Sequence, residues 1–438
     1  ELMIQETEAL TEVGNYFVSN YPPFSFWKPD HLEEAKLVLS NKPEEGTPLG
    51  LYLHIPFCRK RCKFCYFRVY TDRPAKEVES YTDSLAREVE LLREQEVVGD
   101  RPIQFVYFGG GTPSFLSVRQ LQRLCDRIKK AFPWDDAGEI TFECEPGTLT
   151  ASKLKALRDL GVTRLSLGIE NFDDQILETN GRAHRSPEIF RAYEEARRLG
   201  FPQINVDLIS GMVGETDANW TDCIRRVREL SPDSVTIYQM ELPFNTVFSK
   251  EMLESQGESP VADWPKKRQW VEEAFCTLEE EGYSISSAYT AVNKTSDAQF
   301  VYRDSLWHGA DMLGTGVASF SHVGGVHYQN VDEWAEYSNL INQGVLPLAR
   351  ALAPTKRQRL IRELILQLKL GHLEGAYFAD KFGVNIEEEF KDVWKNLSDA
   401  GIVTMDGDRF LLSRGGLLCV DSLLPQFFES AHRGGRYT

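Results

Sequence analysis

From Leu51 to about Tyr289, short apolar runs alternate with longer amphipathic stretches, and this alternation restricts the chain to one class of fold. Leu51–Ile55, Ile103–Phe108, Ile140–Cys144, Arg164–Ile169, Gln203–Leu208, Ser234–Ile237 and Tyr283–Ser287 read as buried strands. Val78–Gln95, Val118–Phe132, Ala151–Leu160, Pro187–Leu199, Asn219–Leu230 and Trp264–Glu281 read as the helices between them. Parallel strands need crossover connections, and crossovers are right-handed, so the order predicts a parallel sheet with outer helices. About six such units predict an α/β fold built as a partial or complete (β/α) barrel, with its chemistry at the C-terminal ends of the strands.

The flanks read differently. Residues 1–48 form an N-terminal arm that carries the aromatic and proline-rich segment from Asn20 to Trp27. Such a segment either wraps the barrel and buries its aromatics or closes over a large planar substrate. The barrel and its extension occupy residues 49–350, and a small module occupies 351–438. In that module Lys356–Leu370, Ala376–Phe382 and Ile386–Ala400 read as helices. Ile402–Met405 and Phe410–Leu412 read as a hairpin turning at Asp406-Gly407-Asp408, which completes a winged-helix-like outline. The net charge of −17 argues against a nucleic-acid partner. Lys381, Lys391 and Lys395 are interleaved with acids, so the module lacks a coherent basic face. No run approaches the roughly 18–20 apolar residues of a membrane span. No signal peptide is visible, and the expected location is cytoplasmic.

One cluster of residues carries chemistry. Cys58, Cys62 and Cys65 follow the first strand in the pattern C-x3-C-x2-C. A structural zinc site is normally closed by four ligands, and no fourth cysteine lies nearby. Three thiolates suit a [4Fe–4S] cluster that keeps one iron open to a non-protein ligand. The five other cysteines are scattered and read as reduced, packed thiols. An oxygen-sensitive cluster also favours a reducing compartment.

With the segment Tyr52-Leu-His-Ile-Pro-Phe-Cys58, this motif resembles the radical S-adenosylmethionine (SAM) superfamily, in its branch around oxygen-independent coproporphyrinogen III oxidase. Gly109-Gly-Gly-Thr-Pro113, Phe142-Glu-Cys-Glu-Pro146, Leu165–Phe172, Asn205–Gly211 and Leu313–Phe320 fit further blocks of that branch. The resemblance implies a radical SAM barrel holding the cluster and, as a trait of the branch, two SAM molecules. It implies SAM-binding roles for Tyr52, Gly110, Glu143, Ile209 and Phe320, and second-SAM roles for Phe64, Gly111, Thr112, Glu170, Arg182 and Asp207. It also implies an electron donor such as flavodoxin or ferredoxin. Phe67 stands where coproporphyrinogen oxidase carries a fourth cysteine, and Glu170 where it carries glutamine. These departures point the resemblance toward class C methyltransferases and cyclopropane-forming enzymes. There the second SAM donates a methyl or methylene carbon to an sp2 carbon of a conjugated or aromatic small molecule. Tyr289, His308 and Tyr238 are the candidate proton-relay residues. The alternatives are a coproporphyrinogen-type or heme-modifying oxidoreductase and a non-catalytic heme chaperone.

Overall fold

The structure, a computed structural model, describes residues 16–242, 246–255 and 261–435. The start of the expected arm and the last three residues of the C-terminal module lie outside the described residues. The strands are β1 (Leu49–Ile55), β2 (Ile103–Gly110), β3 (Glu139–Cys144), β4 (Arg164–Glu170), β5 (Gln203–Ser210), β6 (Ser234–Gln239), β7 (Tyr283–Ile285) and β8 (Thr290–Asn293). They continue as β9 (Asp311–Thr315), β10 (Phe320–Val323), β11 (Val326–Asn330), β12 (Leu348–Leu352), β13 (His372–Glu374), β14 (Val403–Asp406) and β15 (Arg409–Leu412). The chain folds as two compact units, Trp27–Asp207 with Ala298–Ala353, and Glu1–Phe26 with Leu208–Asp297 and Pro354–Thr438.

The first unit holds the strands β12-β11-β10-β9-β1-β2-β3-β4 and β5 as far as Asp207. Neighbours from β9 through β4 run parallel. β10, β11 and β12 are added antiparallel. The helices Ala75–Arg93, Val118–Ala131, Ala151–Asp159 and Ser186–Arg198 connect the parallel strands. Their buried residues recur at helical spacing, so each lays one apolar stripe on the sheet. The strands show the complementary period of two. In β1, Leu49, Leu51, Leu53 and Ile55 are fully buried under helices, while Tyr52 and His54 between them point to the other face. That other face builds the site.

The second unit holds β6, β8 and β7 as an antiparallel set, with the helices Asp217–Leu230 and Trp264–Glu280. The strand expected over Tyr283–Ser287 is shorter and does not pair with β6; β8, antiparallel to both, lies between them. Ser286 turns the chain at once, its N–H donating to the Thr290 carbonyl at 2.9 Å, so the segment closes a hairpin instead of entering a parallel sheet. The C-terminal module has the expected helices and a small antiparallel sheet in the order β13-β15-β14. Its expected helix over Ile386–Ala400 divides into Ile386–Glu389 and Lys391–Asp399 at Phe390. There the Ile386 carbonyl accepts from Phe390 N–H at 3.2 Å and also from the indole N–H of Trp394 at 2.8 Å. Lys381 pairs with Glu363, and Lys395 with Asp399.

The aromatic N-terminal segment packs. Tyr21 is fully buried, its hydroxyl 2.6 Å from His432 Nδ1. Val18 donates its N–H to Asp421 at 2.8 Å and accepts from the Lys369 ammonium on its carbonyl. Lys369 and Asp421 are themselves 3.1 Å apart and buried. In the first unit, Trp27 is buried and stacks on His327 with ring centroids 5.1 Å apart. Among the described residues no helix is long and apolar enough to cross a membrane.

Candidate functional site

The C-terminal ends of the parallel strands in the first unit converge on the cysteine loop. That loop leaves β1 at Ile55 and is fastened by backbone bonds from Thr112 N–H to Phe57 O and from Gly111 N–H to Ile55 O, both 2.8 Å. The glycines after β2 permit this approach. A Cβ on Gly111 would sit 3.0 Å from Cys58 Sγ, Phe57 O and the Pro56 carbonyl carbon. Gly110 has φ +114°, and a Cβ there would meet His54 at 2.8 Å. Thr112 Oγ1 donates to Cys58 Sγ at 3.2 Å.

The loop is clamped from a second side. Arg59 makes a two-pronged bond to the buried carboxylate of Glu145 at 2.8 and 2.9 Å. Glu145 also accepts from Gly147 N–H at 2.9 Å. Lys63 N–H donates to Asn180 O, which ties the loop to the segment before Arg182. Arg182 reaches Cys62 Sγ at 3.3 Å and Gly168 O at 2.6 Å. The three thiols are half-buried; burial, with the neighbouring thiols a smaller effect, pushes Cys58 up to about 12 and raises Cys65.

Beneath the loop, alternate positions of five strands face one another. They are Tyr52 and His54 on β1, Tyr107 on β2, Glu143 on β3, Ser166, Gly168 and Glu170 on β4, and Asn205 and Asp207 on β5. Tyr107 donates to Glu143 at 2.5 Å and stacks between Tyr52 and Tyr302. Burial raises Glu143 to about 7, against the Tyr107 hydrogen bond. Asp207 accepts from Ser166 Oγ at 3.0 Å and Asn205 Nδ2 at 2.8 Å, and its pKa is raised by burial. Glu170 ends β4 at φ +67°, a left-handed conformation that costs a non-glycine residue about 1–3 kcal/mol. Its Oε1 lies 3.9 Å from Arg182, and burial raises its pKa to about 7. Glu170 Oε2 and Arg182 Nε are buried and have no hydrogen-bond partner among the described residues. His184, behind Arg182, stays neutral because burial pushes its pKa down to about 2.

The structure thus brings Cys58, Cys62, Cys65, Tyr52, Gly110, Gly111, Thr112, Glu143, Glu170, Arg182 and Asp207 to one end of one unit. Phe64 lies within the cysteine loop, and Phe320 opens β10 just past the Gly316 turn that follows β9. His308 does not join them. It caps the helix Val301–Trp307, its Nδ1 2.7 Å from Asp304 O, three residues before β9 begins. Because β9 runs parallel to β1, that is the end of the sheet opposite the cysteines. Ile209, Tyr238 and Tyr289 belong to the second unit. There Tyr289 donates to Asp421 and stacks on the half-exposed Tyr238 at 6.0 Å. The residues that sequence reasoning passes over are Tyr107, Ser166, Asn205 and the Arg59–Glu145 clamp. Ser166 shares the inward period of β4 with Glu170, and Asn205 that of β5 with Asp207; that period is the signal that identifies them.

Among the described residues no group of three His, Cys, Asp or Glu is set to hold a single metal ion. A cubane cluster differs in that each thiolate takes its own iron. The donor set fits such a group: three half-buried thiols on one loop, a glycine cradle with no room for a side chain, and unpartnered acid and guanidinium atoms facing the same space.

Residues 52–227 match the family model for the radical SAM superfamily. The matched stretch holds the three cysteines, and that superfamily is one of [4Fe–4S] clusters and SAM. Over most of its length the chain is similar to oxygen-independent coproporphyrinogen III oxidases and to heme chaperone HemW. It is 29% identical to heme chaperone HemW of Bacillus subtilis over 381 residues, covering 86% of this chain and 98% of the relative. It is 28% identical to the oxygen-independent coproporphyrinogen III oxidase of Escherichia coli over 449 residues, covering 95% of each. The solved structure of coproporphyrinogen III oxidase from Escherichia coli superposes with a TM-score of 0.83 at 25% identity, covering 98% of both chains.

Proposed function

We propose that this chain is a radical SAM enzyme that binds two SAM molecules and oxidises a conjugated, tetrapyrrole-type substrate. The observation that carries the reading is the ring of inward acids and Arg182 under the cysteine loop, with the Glu170 and Arg182 atoms that face it unpartnered. Full-length similarity to coproporphyrinogen III oxidases supports the substrate class. Cys58, Cys62 and Cys65 hold the cluster, which when bound supplies the electron that splits SAM into methionine and a 5′-deoxyadenosyl radical. Tyr52, Gly110, Glu143 and Phe320 line the first SAM. Glu143 accepts its ammonium, and Tyr107 holds that carboxylate in place. Phe64, Gly111, Thr112, Glu170, Arg182 and Asp207 serve the second. Arg182 pairs with a carboxylate and Asp207 accepts from an ammonium, both through charge-assisted bonds. The buried tyrosines keep water from the reacting centre.

Carbon transfer from the second SAM is the other reading, favoured by Phe67 in place of a fourth cysteine and by the acid at Glu170. The two are separated by products. Anaerobic incubation with coproporphyrinogen III, SAM and reductant is expected to release carbon dioxide and 5′-deoxyadenosine without S-adenosylhomocysteine. S-adenosylhomocysteine formed in step with a methylated product would establish carbon transfer instead. Heme binding with no nucleoside product would show a chaperone and sink both.

A further inference from the structure

The helix Ala75–Arg93 connects β1 to β2 and gives no residue to the site, yet it buries two polar side chains, Tyr81 and Glu88. They stand seven residues apart, so they share one face and lie about 10 Å from one another along the axis. The Tyr81 hydroxyl donates to the His54 carbonyl at 2.7 Å and accepts from Val317 N–H at 3.2 Å. His54 precedes Ile55, where the cysteine loop leaves β1. Glu88 Oε2 accepts from Gly316 N–H at 2.8 Å, and its Oε1 accepts from Asn330 Nδ2 at 2.6 Å. The same Asn330 amide also reaches Gly316 O at 3.0 Å and Ser319 Oγ at 3.2 Å. All of these residues belong to the first unit.

The segment held in this way, Gly316 to Ser319, is the turn between β9 and β10 that delivers Phe320. It does not support itself. Gly316 has φ +100° and Ala318 has φ +60°, left-handed conformations that a residue with a side chain keeps only when its surroundings enforce them. A Cβ on Gly316 would lie 2.5 Å from the Tyr81 hydroxyl and 2.9 Å from His54 Cβ, so the turn is pressed against both. Packing alone asks for apolar side chains at two buried helix positions. An acid and a phenol are costlier to bury, and what they add is direction: each fixes particular backbone atoms at hydrogen-bond distance.

We propose that Tyr81 and Glu88 are positioning residues for SAM. Carried on one rigid helix, they set the separation between the root of the cysteine loop and the turn that presents Phe320. The inference rests on the cluster and SAM reading above, in which that loop and Phe320 serve the same molecule. Neither residue lines SAM; both act through the backbone on either side of it.

Tyr81→Phe removes one oxygen atom and keeps the ring that packs on Phe57 and Trp334, with centroids 5.4 and 5.5 Å away. Equilibrium dialysis of the cluster-loaded variant is expected to show SAM bound about tenfold more weakly, because two backbone groups lose a buried partner, with iron content unchanged. Glu88→Leu should weaken SAM binding as much, and Glu88→Gln, which keeps an acceptor for Gly316, should stay within about twofold of wild type. Hydrogen exchange on the cluster-free protein reads the turn without SAM. The Gly316 amide in Glu88→Leu and the Val317 amide in Tyr81→Phe should exchange about tenfold faster, while the amides of β2 and β3 keep their wild-type rates. Wild-type SAM affinity in both Tyr81→Phe and Glu88→Leu would overturn the positioning role and leave the SAM site standing. Faster exchange throughout the strands, in step with weaker SAM binding, would make the two residues ordinary parts of the core and overturn it too. Cluster-loaded wild type that binds no SAM would refute the reading of the site itself, and the positioning role with it.

Discussion

Glu88 offers a stability test whose size changes with pH. It is 1% exposed, on the helix Ala75–Arg93, and every neighbour it has there donates. Gly316 N–H and the Tyr337 hydroxyl reach its Oε2 at 2.8 and 2.6 Å, and Asn330 Nδ2 reaches Oε1 at 2.6 Å. Burial nevertheless raises its pKa from 4.5 to about 7, the three hydrogen bonds only partly offsetting the loss of solvent. The folded state therefore keeps a proton that the unfolded chain releases. Stability from this group is complete below the unfolded pKa and is lost as pH rises through the folded one. At about 1.4 kcal/mol per unit, the loss is about 3 kcal/mol. Glutamine keeps the shape and does not titrate. At about pH 5 the protonated carboxyl and the amide share one defect, a donor hydrogen among donors, so Glu88→Gln should lie within about 1 kcal/mol of wild type. At about pH 8 only wild type has lost its share, and the variant should be the more stable by about 2 kcal/mol. Urea unfolding at both pH values, followed by tryptophan fluorescence, measures this difference. The other buried acids are common to both proteins and cancel. A variant less stable than wild type by a wider margin at the higher pH would refute the reasoning.

Three further expectations concern the site. Replacing Cys58, Cys62 or Cys65 by Ala should remove about four irons per chain, read by iron analysis and loss of brown colour; full iron in any variant contradicts the assignment. Gly111→Ala places a methyl 3.0 Å from Cys58 Sγ and from two backbone atoms, so reconstituted iron should fall while thermal stability changes by only about 1–3 kcal/mol. Normal iron content would show that the loop has room. Asp207→Ala should bind one SAM in place of two by equilibrium dialysis and should still cleave the first. Loss of cleavage in parallel with substrate conversion would make Asp207 a structural partner of Ser166 and Asn205.

The parallel strands were legible because each is an apolar run bounded by amphipathic stretches, and their starts fall within about two residues of the periodicity. The cysteine loop was legible from spacing, and its position from the rule that chemistry follows the strand ends. His308 shows where such reading stops. A histidine near a glycine block looks like a site residue, but which end of the sheet it occupies depends on whether it precedes or follows β9. The left-handed Glu170 carries no sequence mark, since only the packed loop around it compensates such a conformation. Glu88 is equally silent, because an acid in an amphipathic helix ordinarily reads as part of a solvated face. The division of the last long helix at Phe390 is a backbone turn at φ −117° and ψ 31°, which periodicity does not encode.

The Val18 bridge makes residues 400 positions apart a single cooperative element. Its N–H and carbonyl complete the coordination of a Lys369–Asp421 pair that water does not reach. A fragment that starts after Val18 leaves that pair half-served inside the C-terminal module. Shortening the amino terminus is therefore a lesion of the opposite terminus. Expression variants that differ only in where they begin should be compared first by how firmly their last eighty or so residues resist proteolysis.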